Sequence, residues 1–229
     1  MRHQKMESVS SVIVAGGGGK RFGAKKQFLI LSGTPVLKKT VAAFDSHPAI
    51  HRIVVVAPED DISMVKDMLR GFKKVYAIVA GGETRQASVW SGLQLIKDSE
   101  IVLIHDGARP LVSHLLISKV IDGIKGYDAC IPALPVADTI KQVKDGIVLK
   151  TIPRADVYTI QTPQAFNTSK IIAAHEKANR KRSIARDDST LLEEYGANIR
   201  VVEGDPYNIK ITRKTDMLFA EVIIKCHTG

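Results

Sequence analysis

Short runs of β-branched and aliphatic residues alternate along this chain with stretches whose apolar residues recur at helical spacing. The pattern predicts strands separated by helices: the strands are Ser11–Ala15, Arg52–Ala57, Val75–Ala80, Ile101–His105 and Ala129–Pro132, and the helices are 34–44, 61–70, 85–97 and 113–125. Such alternation is typical of a parallel sheet covered on both faces. Hydrophobic residues make up 45% of the 229 residues, enough for a sizeable core. We therefore predict an α/β fold with a mostly parallel sheet, helices on both faces, and a single domain over residues 1–229.

The pattern changes after residue 137. Asp138–Val143 and Ile147–Thr151 alternate polar and apolar residues around Lys144-Asp145-Gly146. An Asp-Gly pair between such runs indicates a β-hairpin. Because an isolated hairpin is marginally stable in water, we predict a protruding arm at about residues 136–156 that packs on a second subunit and makes a homodimer. The remaining chain predicts helices at 168–179, 188–194 and 213–225, and strands at 199–202 and 209–212.

The predicted topology also indicates where a ligand binds. In a Rossmann-like sheet of this kind, ligands lie beyond the carboxyl ends of the parallel strands. Residues 16–27, 81–84 and 106–110 follow predicted strands at that edge, and so does the segment after Pro132. These segments hold most of the unusual glycines and charged residues, so we predict the functional site there.

The composition excludes several classes of protein. No apolar run reaches the roughly 18 residues that span a bilayer, and Met1–Ser10 is polar and basic, without the apolar core of a signal peptide. Cys130 and Cys226 are far apart and in no metal-type spacing, which argues against a disulfide framework and a zinc site. We expect a cytoplasmic protein without a membrane anchor.

The net charge of +9 is compatible with nucleic acid, an anionic membrane or a small polyphosphate as the ligand. A nucleic-acid-binding module would place its cations on one continuous face with exposed aromatic residues. Here the cations cluster instead in loops at strand ends, next to glycines. The sequence favours a small polyphosphate, with a basic nucleic-acid-binding module as the alternative from a different class.

The first predicted strand runs directly into a glycine-rich loop. Ala15 is followed by Gly16, Gly17, Gly18 and Gly19, and then by the cations Lys20, Arg21, Lys25 and Lys26. Consecutive glycines let backbone N–H groups approach a polyanion closely. The loop fits neither the Walker A spacing nor the dinucleotide-binding spacing G-x-G-x-x-G. It predicts a triphosphate site of another kind.

Further segments follow in a recognisable order. They are Lys26-Gln-Phe-Leu29, Gly81-Gly82-Glu83-Thr84-Arg85, Ser88, His105-Asp-Gly-Ala-Arg-Pro110, Asp138-Thr139, Thr162-Pro-Gln164 and Asn208-Ile-Lys-Ile-Thr212. Together with the glycine-rich loop, they resemble the sugar-phosphate nucleotidyltransferases and, among these, the family of 2-C-methyl-D-erythritol 4-phosphate cytidylyltransferases of non-mevalonate isoprenoid biosynthesis. The resemblance covers about residues 11–225.

The resemblance implies a magnesium-dependent transfer of a cytidylyl group from CTP to a polyol phosphate. It implies catalytic roles for Arg21, Lys26, Arg154 and Lys210. It implies CTP-binding roles for Ala15, Gly16, Gly17, Gly18, Gly19, Gly81, Gly82, Glu83 and Ser88. It implies substrate-binding roles for Asp106, Gly107, Arg109, Thr139 and Thr162, with Asp106 also near the magnesium ion. Thr139 and Arg154, on or beside the arm, are expected to reach the partner subunit's site.

The chemistry of such a reaction agrees with the residue types present. A phosphate monoester is already anionic near neutral pH, because its second pKa is about 6, so the attack on phosphorus needs no general base. We therefore expect His105 to be structural. The family commonly has proline where Lys25 stands, which leaves the order of the loop open. Ribitol 5-phosphate, another five-carbon polyol phosphate, remains the alternative substrate.

Overall fold

A computed structural model of the protein describes residues 8–16, 25–185 and 187–227. Within these ranges the strands are β1 Val9–Val14, β2 Ile30–Leu31, β3 Thr34–Pro35, β4 Ile50–Ala57, β5 Val75–Ala80, β6 Ile101–Asp106, β7 Ala129–Pro135, β8 Ile140–Lys144, β9 Ile147–Ile152, β10 Tyr158–Ile160, β11 Gln164–Asn167 and β12 Ile199–Glu203. The helices are α1 Val36–Asp45, α2 Ile62–Met68, α3 Arg85–Leu93, α4 His114–Gly123, α5 Thr168–Lys181, α6 Asp188–Glu193 and α7 Lys214–His227.

The main sheet has the strand order β10-β7-β11-β6-β1-β4-β5, with β12 paired to β7. The pairs β1–β4, β1–β6, β4–β5 and β7–β12 are parallel. Strand β11 lies antiparallel between β6 and β7, and β10 is antiparallel to the end of β7. The predicted mostly parallel sheet is confirmed.

Side chains of the central strands point alternately to two apolar cores. On β4, Ile53 and Val55 belong to a core that includes residues of α1, α2 and α4, whereas Val54 and Val56 belong to a second core with residues of α3, α5 and α6. This alternation follows from the two-residue period of a strand. Because each face of the sheet packs on its own core, the central strands are hydrophobic at successive positions in the sequence. The predicted helices on both faces of the sheet are confirmed.

Three local predictions differ from the structure. The segment 209–212 is not a strand: the Ile211 backbone N–H donates to the Ala108 carbonyl without forming a strand pair, and Lys210 turns toward Asp106. Strands β10 and β11 were not predicted, because each is short and Pro163 stands between them. Thr34–Pro35 pairs with β2 as β3 instead of opening helix α1, which begins at Val36 without a side-chain cap.

The predicted hairpin is present as a separate two-stranded sheet of β8 and β9. Its turn places Asp145 and Gly146 at φ angles of 50° and 79°, the left-handed conformation that the tightest hairpin turns require at both central positions. Val143 and Val148 face each other across the strands and are 52% and 57% exposed. The packing of this arm on a second subunit stays a prediction.

Two composition-based expectations can be compared with the described residues. Both cysteines are free, Cys130 buried in the core and Cys226 on the surface of α7. Among the helices that the structure describes, none combines the length and apolarity needed to span a bilayer.

Candidate active site

A pocket opens at the carboxyl ends of β1, β5 and β6, where the topology predicts a ligand. The residues of this pocket that the sequence singled out are Ala15, Gly16, Lys26, Gly82, Glu83, Ser88, Asp106 and Lys210. They come from five separate parts of the chain. The fold therefore brings together eight of the fourteen residues that were assigned by resemblance and lie in the described parts of the chain.

The glycine edge of the pocket depends on close backbone packing. A Cβ atom on Gly81 would lie 2.7 Å from the Ser88 hydroxyl, and one on Gly82 would lie 2.5 Å from the Cβ atom of Ala87. The Ser88 hydroxyl donates to the Thr84 carbonyl at 3.0 Å, which holds the start of α3 against this edge. Larger residues at positions 81 and 82 would push the edge away from α3, so the glycines allow backbone groups to face the pocket.

Asp106, the last residue of β6, is the centre of charge in the pocket. Its carboxylate lies 2.8 Å from Lys210 Nζ, 3.2 Å from Arg85 Nε and 3.6 Å from Arg109 Nε. Burial alone would raise the pKa of this carboxyl group, but attraction to Arg85, Lys210 and Arg109 lowers the pKa far below its usual range. Asp106 is thus a permanent anion surrounded by three cations.

A chain of hydrogen bonds fixes the backbone of Asp106 through residues that do not line the pocket. The Asp106 backbone N–H donates to the Thr162 hydroxyl at 3.1 Å, and that hydroxyl lies 3.0 Å from His105 Nδ1. His105 Nε2 lies 3.2 Å from the Arg109 carbonyl, which can only accept. His105 therefore carries its proton on Nε2 and accepts from Thr162 at Nδ1. Burial lowers the pKa of His105 to about 3, so the ring is neutral at physiological pH.

Asn208 connects this chain to Arg109. The Asn208 side-chain N–H donates to the Thr162 backbone carbonyl at 2.7 Å. The Asn208 backbone carbonyl accepts from Arg109 Nη1, also at 2.7 Å. Burial lowers the pKa of Arg109, although Asp106 opposes that effect. Arg109, Gly107 and Thr162 were predicted to bind substrate, and in this structure they lie behind Asp106 and do not line the pocket.

The end of the glycine-rich loop is fixed by an ion pair. Lys25 Nζ lies 2.7 Å and 2.8 Å from the two carboxylate oxygens of Asp61, whose side chain is 9% exposed. Lys26 begins the 3-10 turn Lys26–Phe28 directly afterwards and faces the pocket. The lysine that replaces the family's proline therefore anchors the segment that carries Lys26.

Several predicted site residues lie elsewhere. Thr139 and Arg154 are exposed at the base of the arm and do not line the pocket of their own chain. Arg154 Nη1 donates to the Ala137 carbonyl, across the two ends of the arm. Gly17, Gly18, Gly19 and Arg21 lie outside the described residues.

Other residues of the pocket were not assigned a role from the sequence. They are Val14, Gln27, Thr84, Arg85 and Ala108. Arg85 ends the segment Gly81-Gly82-Glu83-Thr84-Arg85, and its position in the first turn of α3, next to the predicted site, was the sequence feature that could have identified it. Its second partner, Asp188, lies 103 residues away in sequence and gave no signal that connected the two.

The number of acidic groups at the site determines how a metal ion could bind there. In the part of the chain that the structure describes, no group of three His, Cys, Asp or Glu residues could hold an ion by itself. Mg²⁺ commonly binds through one or two carboxylates together with substrate phosphates. Asp106, the buried carboxylate of the pocket, fits this mode, in which the ion arrives with the nucleotide.

The low pKa of His105 predicts a pH-dependent stability. The folded protein keeps His105 neutral down to about pH 3, whereas the unfolded chain binds a proton near pH 6.5. Between these values the unfolded state holds the extra proton, so the free energy of unfolding falls as the pH falls, by up to about 1.4 kcal/mol per pH unit. His105→Gln should reduce this slope between pH 6.5 and 4.5, measured by urea unfolding. An unchanged slope would contradict the assignment, provided that both proteins unfold cooperatively at pH 7.5.

Comparison with known proteins agrees with this geometry. The family model for 2-C-methyl-D-erythritol 4-phosphate cytidylyltransferase matches residues 9–226. The chain is 40% identical over 227 residues to the protein of that name from Geobacter metallireducens, covering 95% of this chain and 98% of the relative. It is 42% identical over 218 residues to the protein of that name from Geobacillus kaustophilus, covering 93% and 96%.

Among solved structures, the chain is similar to 4-diphosphocytidyl-2C-methyl-D-erythritol synthase from Anaerococcus prevotii. The TM-score is 0.85 at 34% identity, with 96% of this chain and 99% of that chain covered. The family model spans residues of both cores and every residue that lines the pocket, so sequence, fold and pocket support the same assignment. The chain therefore belongs to the 2-C-methyl-D-erythritol 4-phosphate cytidylyltransferase family.

Proposed function

We propose that this chain joins CTP and 2-C-methyl-D-erythritol 4-phosphate to give 4-diphosphocytidyl-2-C-methyl-D-erythritol and pyrophosphate. The observation that carries the proposal is the pocket at the sheet edge, in which Lys26, Lys210 and Arg85 converge beside a glycine-rich backbone edge. Cations and backbone donors are what a reaction between two polyanions requires. The family assignment favours this substrate over ribitol 5-phosphate, the alternative that the sequence left open.

The reaction is a substitution at the α-phosphorus of CTP. A phosphate oxygen of the polyol phosphate forms the new P–O bond, and the bond to the bridging oxygen of the β-phosphate breaks, so that pyrophosphate leaves with the electron pair. The attacking phosphate is already anionic, because its second pKa is about 6, and needs no base. Neutral, buried His105 is consistent with this, since it has no proton-transfer task.

Most of the work falls to fixed cations. We assign Lys26, Lys210 and Arg21 to the phosphates, where they stabilise the negative charge that develops during substitution. Gly81, Gly82, Glu83 and Ser88 form the edge that reads cytosine and ribose, and Ala15 with Gly16–Gly19 supplies backbone donors to the triphosphate. Gly82 and Glu83 already lie at the rim of the pocket, as this role requires.

Asp106 receives two tasks in the proposal. Its carboxylate orients a hydroxyl of the polyol phosphate, and it holds the magnesium ion that accompanies CTP. Such an ion supplies charge neutralisation on the phosphates when bound. Gly107, Arg109 and Thr162 support these tasks, since Thr162 and Arg109 contact Asp106 directly.

A second subunit completes the site in this proposal. Thr139 and Arg154 are assigned to the partner's substrate phosphate, which agrees with their exposure and with their absence from the pocket of their own chain. The arm exposes apolar residues in a two-stranded sheet, which is unfavourable for a monomer. A homodimer joined through the arm would cover them. A cytoplasmic location is also part of the proposal, since both substrates are small phosphorylated metabolites.

The test of the proposed function is pyrophosphate release with CTP and magnesium. The assay is run in parallel with 2-C-methyl-D-erythritol 4-phosphate and with ribitol 5-phosphate, and repeated with excess EDTA. We expect release with the first substrate alone and none with EDTA. Release with ribitol 5-phosphate alone would reject the substrate, and release with neither would reject the function. Salt-dependent binding of duplex DNA in place of activity would instead favour the nucleic-acid alternative.

Substitution of the pocket cations tests the site. Lys26→Ala and Lys210→Ala should each lower kcat/KM at least about 100-fold, because each removes a fixed charge that stabilises the transition state. Arg21→Ala is expected to behave in the same way. Lys66→Ala, on the exposed side of α2, is the matched control and should keep wild-type turnover. Near-normal turnover in any pocket variant with an unchanged unfolding temperature would remove that residue from the catalytic set.

The arm gives a prediction about assembly. Val143→Glu combined with Val148→Lys replaces a facing apolar pair by a facing ion pair, so the hairpin keeps a favourable cross-strand contact and loses its apolar face. Light scattering should give twice the 25.0 kDa chain mass for the wild type and a single chain mass for the variant. Activity should fall together with the mass.

The control for the arm variant is Leu115→Glu, which charges another exposed apolar side chain, 75% exposed on α4. It should leave the mass unchanged. A wild-type monomer with full activity at micromolar concentration would refute both the dimer and the shared site.

A further inference from the structure

Lys26, which the proposed function places on the phosphates, belongs to a short segment that is anchored on both sides. After Lys26, Gln27 is 2% exposed, and Phe28 packs against the core formed with α1, α2 and α4. Before Lys26, the ion pair of Lys25 with Asp61 holds the segment. The Lys25 backbone carbonyl accepts from the Phe28 N–H at 3.0 Å, which closes the turn around Lys26. The position of Lys26 therefore depends on an apolar contact on one side and on an ion pair on the other.

The side chain of Asp61 is directed at Lys25 and not at its own helix. Asp61 stands at the N-cap position of α2, where an aspartate commonly accepts a hydrogen bond from the first turn. In the described α2 it makes no such bond, and both carboxylate oxygens lie against Lys25 Nζ, at 2.7 and 2.8 Å. The Asp61 backbone N–H donates to the Pro58 carbonyl at 3.0 Å, just after β4, which fixes Asp61 at the sheet edge where the pocket lies. Asp61 does not line the pocket, so its effect on the reaction passes through Lys25.

The backbone of Lys25 has a conformation that suits proline. Its φ angle is −72°, inside the range of about −65 ± 15° that a proline ring imposes. Its N–H donates to no acceptor among the described residues, so a proline here would remove no hydrogen bond of this structure. The family commonly has proline at this position, and proline restrains the chain covalently. In this chain the contact with Asp61 restrains the same residue through its side chain.

We propose that Asp61 is a positioning residue for the reaction, which acts through Lys25 to hold the segment that carries Lys26, and that this ion pair replaces the restraint that proline gives elsewhere in the family. The inference rests on the proposed function, in which Lys26 stabilises charge on the phosphates. Without the Asp61 charge, the turn opens more often and Lys26 spends less time in the pocket, so turnover falls although the chain folds. Because Lys25 is 47% exposed, water screens the ion pair, and the effect is a few-fold.

The kinetic test compares Asp61→Asn, Lys25→Ala and Lys25→Pro by kcat at saturating CTP and polyol phosphate. Asp61→Asn and Lys25→Ala should each lower kcat about three- to fivefold, because each removes the ion pair. Lys25→Pro should stay within about 1.5-fold of the wild type, because the ring supplies the restraint. Both Lys25 variants remove the same charge, so their difference isolates the restraint. Asp60→Asn, which removes an exposed charge from the adjacent position, is the matched control and should match the wild type.

A double variant separates positioning from an effect on the stability of α2. Asp61→Asn introduced into Lys25→Pro should lower kcat by less than about 1.5-fold, because the ion pair is already absent there. Equal losses from Asp61→Asn in the Lys25 and Lys25→Pro backgrounds would overturn the inference. A loss in Lys25→Pro as large as that in Lys25→Ala would also overturn it and would instead assign Lys25 a direct contact with substrate.

Amide hydrogen exchange supplies a readout that does not depend on the reaction. The Phe28 N–H, which donates to the Lys25 carbonyl, should exchange about three- to fivefold faster in Asp61→Asn than in the wild type. It should exchange at the wild-type rate in Asp60→Asn and in Lys25→Pro, and an unchanged rate in Asp61→Asn would overturn the inference. If the wild type releases no pyrophosphate with either polyol phosphate, the proposed function fails, and this exchange rate alone decides whether Asp61 positions the segment. Should Asp61→Asn lack a cooperative unfolding transition, Asp61→Ser, a neutral N-cap residue, serves under the same criteria.

Discussion

The carboxylate of Asp106 is the interaction on which the rest of the site depends. It lies at the end of β6, a strand whose six residues are all buried, and it draws cations from the first turn of α3, from the loop after β6 and from the segment before α7. None of these segments is adjacent to another in sequence. A buried anion without partners would cost several kcal/mol, so the three cations and Asp106 require each other. The fold of the outer segments around the sheet edge follows from that requirement.

The same arrangement separates structural from chemical roles. Thr162 and His105 satisfy the backbone and ring groups behind Asp106, and Asn208 ties Arg109 to the same layer. Lys26, Lys210 and Arg85 face the open side. Substitutions behind Asp106 are therefore expected to act first on stability, and substitutions in front of it on turnover. Whether a residue has a structural or a chemical role thus depends on whether it lies behind the Asp106 carboxylate or on its pocket side.

The sheet and its helices could be predicted from the sequence because each central strand is apolar on both faces and each helix has one apolar face. The pocket residues came from resemblance, and the topology rule alone would have located only their loops. What the sequence did not predict depends on contacts between distant residues: β11 reads as a short polar segment around Pro163, Lys210 reads as part of an alternating strand, and Asp188 reads as an ordinary first-turn acid. Their contacts are with neighbours that are 60 to more than 100 residues away.

The surplus of positive charge around Asp106 has a consequence for anyone who handles the protein. Lys26, Lys210 and Arg85 line the pocket, so we expect a free inorganic anion to bind between them. An anion that binds the folded chain and not the unfolded one stabilises it by an amount that grows with the logarithm of its concentration. Unfolding temperatures recorded in phosphate or sulfate buffer and in a buffer of bulky organic ions are therefore properties of two different states of ligation. The choice of buffer becomes a thermodynamic variable of this protein.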